Sequence, residues 1–187
     1  TNQNLFENIK NLIEQTKQNV AVAVNSSMTL MYWNIGKTIN DEILQNQRAQ
    51  YGKEIVATLS QQLSEQYGKG YSKRNLKNMV RFYQIFPIVQ TVSAQLSWSH
   101  YLLILKLEDE KAREWYIKEC EASNWSVRAL ERQINSHYFE RILLSSDKIS
   151  VGNEAKEKTK DLVYSVKEFV KDPYVLEFLN LSQNERF

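Results

Sequence analysis

Lys73, Lys77 and Arg81 recur at i, i+4 and i+8, with Arg74 beside them. On a helix turning ~100° per residue they share one arc of about 100°. Leu76, Val80 and Tyr83 fall to one side of that arc and Asn78 to the other. Lysine and arginine on one face suit phosphate contact, arginine also reads guanine edges, and asparagine pairs with adenine. A second amphipathic segment precedes this one, and the turn between them, Gly68-Lys69-Gly70, is built on glycine. That is the layout of a helix-turn-helix, whose second helix enters the major groove. Lys69, Lys73, Arg74, Asn75, Lys77, Asn78 and Arg81 are therefore the candidate nucleic-acid-binding residues, with double-stranded DNA the expected partner. A solvated hairpin carries the same charges for no purpose beyond solubility, so a protein-interaction module stays open as the alternative.

The charge is local. Arg48, Lys53, Lys69, Lys73, Arg74, Lys77 and Arg81 face only Glu54 and Glu65 across 48–81, a net +5 in a chain whose total is +2. The remainder carries −3, so the mild overall balance conceals a basic segment. A second group, Arg128 and Arg132, is diluted by Glu131 and Glu121 and reads as structural.

No catalytic constellation stands out in the sequence. His100 and His137 sit among aromatic residues and read as packing or hydrogen-bonding histidines. Cys120 is the single cysteine, which excludes an intrachain disulfide and any cysteine-based metal site, and a buried inert thiol is expected. No HExxH and no histidine pair at ligand spacing exists. The Glu154-Ala155-Lys156 triplet lacks the strand context a metal-dependent nuclease would need. No catalytic residue, metal, cofactor or small-molecule substrate is expected.

The elements that must position the basic face are helices. Glycine and proline together number seven in 187 residues, too few for an all-β fold that turns every 8–12 residues, and no glycine-rich phosphate loop is present. Leu5, Phe6, Ile9, Leu12, Ile13, Thr16, Val20 and Val24 share one helical arc. Asn25-Ser26-Ser27 either caps a new helix or is run through. Met28, Met31, Tyr32, Ile35, Ile39 and Ile43 form a further arc, but Leu30, Trp33 and Leu44 lie opposite it. A helix apolar on two faces is buried on two faces, as a central helix or a subunit interface. Leu30, Trp33 and Leu44 are the candidate interface of a homodimer. Gly36 sits on the apolar arc, where glycine costs ~1 kcal/mol against alanine; a close helix crossing there would account for it.

Further helices are expected at about 53–66, from Ser72 to Pro87, at 97–107, at 108–122 and from Ser126 to about 144. Tyr71-Ser72-Lys73-Arg74-Asn75-Leu76 and Trp125-Ser126-Val127-Arg128-Ala129-Leu130 repeat one solution: an aromatic, a serine cap and a leucine entering the core. The fold class is all-α, a multi-helix bundle over 1–144. It holds a helix-turn-helix-like corner at 53–86 and a second helical corner at 109–144. Residues 145–160 read as a linker, and 161–187 as a C-terminal helical fragment, the truncated start of another domain. No apolar run of ~18 residues exists to span a membrane, and the N-terminus is polar, so a cytoplasmic protein is expected.

Tyr32-Trp33-Asn34-Ile35-Gly36-Lys37, the Tyr71–Leu76 and Asn124–Ile134 stretches, Gln95-Leu96-Ser97-Trp98-Ser99-His100-Tyr101 and Asp172-Pro173-Tyr174-Val175-Leu176-Glu177-Phe178-Leu179 together resemble the N-terminal domain of the bacterial YhcG family. The resemblance implies a helical domain followed by a PD-(D/E)xK nuclease-like domain. Its catalytic carboxylates and lysine have no counterpart in this sequence. It also implies a nuclease-linked role for the basic helix, by analogy.

Overall fold

From position 2 to position 46 the chain holds no proline and one glycine, and nothing interrupts its helix. The computed structural model describes residues 2–46 and 49–180. It shows α1 (Asn2–Asn46) as one rod of 45 residues, about 68 Å at 1.5 Å per residue. Asn25-Ser26-Ser27 does not cap a new helix. Asn25 is buried, and its Nδ2 donates to Tyr164 Oη at 2.9 Å.

After α1 come α2 (Ala49–Tyr67), α3 (Lys73–Ile85), α4 (Trp98–Ile104), α5 (Glu110–Ser123), α6 (Val127–Asn135) and α7 (Tyr138–Leu144), of which α2, α3 and α4 pack on α1 and α5 and α6 on α4. They are followed by α8 (Lys148–Thr159), α9 (Val166–Lys171) and α10 (Pro173–Phe178). The fold is all-α. Among the described residues the β content is a single bridge, between Trp125 and Val163.

Of the glycines, Gly36 has the closest neighbour. A Cβ there would lie 1.9 Å from the Met79 carbonyl oxygen, so α3 rests directly on the backbone of α1. This is the close approach that a glycine on the apolar arc of a helix implied. Trp33 faces the same neighbour. Its Nε1 donates to the Phe86 carbonyl at 2.7 Å, and Tyr83 meets its ring edge-on at 5.2 Å. The two-faced pattern of α1 thus marks a central helix: the chain's own α3 covers the Trp33 face expected to meet another subunit. Leu30 is exposed, and the Leu44 side chain lies outside the described residues.

Beneath α3 an aromatic cluster forms the core. Phe82 meets Tyr101 at a tilt at 4.7 Å and Trp98 edge-on at 5.3 Å, and Tyr32 meets Trp98 at 4.8 Å. Such pairs contribute about 0.5–1.5 kcal/mol each beyond area burial. The repeated hexapeptide does the same work twice. Ser72 Oγ accepts from Asn75 N at 3.3 Å and Ser126 Oγ from Ala129 N at 3.2 Å, while Leu76 and Leu130 are both fully buried.

The segment 145–160, read as a linker from its polar composition, carries α8. Asp147 caps it, and Ala155 and Thr159 are buried where Gln133 Nε2 donates to the Ala155 carbonyl. Val151 packs partly against the core beside them, and Glu154 pairs with Arg141 of α7. Downstream, Tyr164, Phe169 and Val175 join the same core as α1.

Candidate nucleic-acid interface

Local chemistry sets where α3 begins. Gly68 has φ of 97°, a conformation that disfavours any side chain. A Cβ at Gly70 would strike Glu177 Oε1, which accepts the Gly70 N–H. A carboxylate from α10 therefore fastens the turn. Ser72 then caps α3.

The candidates divide at this point. Asn75 faces inward and is buried. Its Nδ2 donates to the Gly70 carbonyl, and its Oδ1 accepts from Trp98 Nε1 at 3.0 Å. Its amide holds the turn and the core together, so it is not on the outer face with the others. Lys69, Lys73, Arg74, Lys77 and Arg81 are all exposed and Asn78 is half-buried. The α3 sequence KRNLKNMVRFYQI carries four cations and no acid. Among the described residues none of the five exposed cations has an ion-pair partner.

Arg74, Asn78 and Arg81 line a cleft of about 350 Å³ shared with Leu105, Lys106 and Tyr174. Lys106 is exposed and adds a cation that sequence periodicity could not find, because it follows α4 on a different element. Beside it, Lys53, Lys77 and Arg81 border a shallow hollow with Glu108 and Arg113. Arg113 is itself engaged, donating to the Leu107 carbonyl at 2.8 Å and the Glu108 carbonyl at 3.0 Å. The basic surface thus combines α2, α3 and the turn after α4.

The second corner is organised differently. Arg132 Nη1 donates to the Lys158 carbonyl at 3.2 Å and so fastens α8.

Of the remaining candidates His100 and Cys120 are buried in the core, whereas His137, expected to pack or to hydrogen-bond, is exposed and makes no side-chain cap bond. His100 Nδ1 accepts from Ser97 N at 3.2 Å, and Nε2 lies 2.9 Å from the Trp125 carbonyl. The amide can only donate and the carbonyl only accept, so the proton sits on Nε2. Burial lowers the His100 pKa to about 4, and the ring is neutral at pH 7. Cys120 is buried, and burial pushes its thiol up, away from the reactive thiolate. No group of three His, Cys, Asp or Glu side chains converges on a metal site among the described residues. No described helix is long and apolar enough to cross a membrane.

The chain is 32% identical over 213 residues to the Escherichia coli (strain K12) protein named "Putative nuclease YhcG", covering 96% of this chain and 56% of that relative. It spans little more than half of that relative's length. No solved structure matches it. Residues 8–141 match the DUF1016 N-terminal domain, and the chain belongs to that family.

Proposed function

We propose that this helical unit binds duplex DNA through the outward face of α3 and targets a longer nuclease-family protein to its substrate, without catalysing cleavage itself. Residues 53–86 would then act as the helix-turn-helix. Lys73, Lys77 and Arg81 meet phosphates or base edges, with Lys69, Arg74 and Lys106 flanking them and Asn78 placed to read a base.

The observation that carries this reading is the composition of one exposed face. Four cations stand on α3 without an acid or an ion-pair partner among the described residues. Surface charges of a solvated hairpin normally alternate in sign. The similarity to a protein named as a nuclease supplies a use for DNA contact.

Filter binding of a duplex across a salt series is the test. Neutralising roughly five phosphates gives a slope of log K against log salt of about −4 to −5. Lys73→Glu with Arg81→Glu is expected to abolish retention while leaving the circular dichroism unchanged. Absence of retention of any duplex at low salt overturns the proposal.

A further inference from the structure

Residues 3–20 of α1 stand clear of the rest of the molecule. All are exposed except Gln18, which is half-buried. Eighteen helical residues span about 27 Å, and a free helix of that length is marginal in water. Yet it is apolar along one side: Leu5, Phe6, Ile9, Leu12, Ile13 and Val20 are each about half open or more, with Phe6 and Leu12 at 64%. Together they leave on the order of 600 Å² of apolar surface, at the upper limit for the largest patch on an ordinary monomer.

The pattern is ordered. Leu5, Ile9, Leu12 and Thr16 follow the 4-3-4 spacing of a coiled-coil seam. Phe6, Ile13 and Val20, seven apart, form a ridge on one flank, and Asn8 and Gln15 form the other. The only charges are two acids and two bases, already paired within the helix as Glu7–Lys10 at 3.7 Å and Glu14–Lys17 at 3.1 Å. The segment has no net charge to repel a copy of itself.

We propose that this stripe is a self-association surface, and that it pairs antiparallel with α1 of a second copy of the chain about a two-fold axis. One register satisfies both rows. Leu5 opposes the partner's Thr16 and Ile9 opposes the partner's Leu12. The same register puts the two Phe6–Ile13 ridges on one side of the pair, with Phe6 within two residues of the level of the partner's Ile13. A parallel pair would instead lay the Phe6 ridge against the Asn8 and Gln15 flank and leave it half wet. Two copies together bury on the order of 1,200 Å², the lower range of a stable interface. The pairing is independent of whether α3 binds DNA.

Light scattering of the chain at micromolar concentration tests the pairing. A dimer is expected, and Phe6→Glu with Ile13→Glu is expected to give a monomer with unchanged near-ultraviolet circular dichroism. Orientation is read by oxidation, since Cys120 is buried and silent. Leu5→Cys with Thr16→Cys should give a disulfide-linked dimer and Leu5→Cys alone should not. A monomeric parent chain overturns the proposal. So does an oligomer that survives the double glutamate substitution, or equal cross-linking by both cysteine variants.

Discussion

Gly36 on α1 lies against the main-chain carbonyl of Met79 on α3, so close that a Cβ would sit 1.9 Å from that oxygen. The obstacle is backbone and cannot rotate aside. Gly36→Ala must push α3 off α1, and with it the Leu76, Met79 and Phe82 side chains that are fully buried. We expect a loss of about 3 kcal/mol or more, the upper range of overpacking costs, despite alanine's better helix propensity. Denaturant melts of the two proteins measure it, and equal midpoints would refute the crossing.

Asn75 and Asn78 should separate cleanly. Asn75→Ala strips a partner from buried Trp98 Nε1 and from the Gly70 carbonyl. It should cost about 2–3 kcal/mol in stability, because an orphaned buried polar group loses its full desolvation energy. Asn78→Ala should change stability by less than about 0.5 kcal/mol and alter duplex binding. Thermal melts and filter binding on both variants check the division.

Lys106 provides a test of how far the basic surface extends. Removing one phosphate contact lowers the salt slope by about 1. Lys106→Ala should do this without moving the melting temperature. A slope equal to that of the parent would restrict the interface to α2 and α3.

His100 makes stability depend on pH. Its pKa is lowered to about 4 by burial, whereas an unfolded histidine titrates near ~6.5. The stability it contributes is complete above ~6.5. As pH falls from there to about 4 the unfolded chain takes up a proton that the fold refuses, and on the order of 3 kcal/mol is lost. Asp172, raised by burial against hydrogen bonds from Ser99 and Tyr174, gains a proton more readily in the fold and offsets part of this at the acid end. His100→Gln keeps an acceptor in the capping box and should flatten the stability–pH profile. An unchanged profile would show that another group titrates.

The sequence was informative wherever one element carries the whole signal. The apolar periodicity of α1, the serine caps and the basic stripe of α3 each repeat along one helix, and the Gly36 crossing announces itself as a glycine where helices avoid one. Contacts between distant elements were not legible. Nothing in the spacing says that Trp98 will hold Asn75, which turns a candidate base reader into a core residue, or that Lys106 will stand beside Arg81. Trp33 was ambiguous for a related reason: a two-faced helix looks the same whether its second face meets its own chain or another. The polar stretch 145–160 misled because α8 is seated by Ala155 and Thr159, too small to register as a hydrophobic pattern.

The clasp between Glu177 and the Gly70 turn closes over 107 positions, and the bond from Asn25 to Tyr164 over 139. The first helix and the turn before α3 are therefore finished by residues made more than a hundred positions later. At ~5–20 residues per second, α1 waits about 7–30 s for Tyr164 to be made. Through that interval the nascent chain carries the Asn25 face of α1 uncovered. Apolar surface left open in that interval is open to aggregation, so a holding chaperone would raise the yield of folded chain.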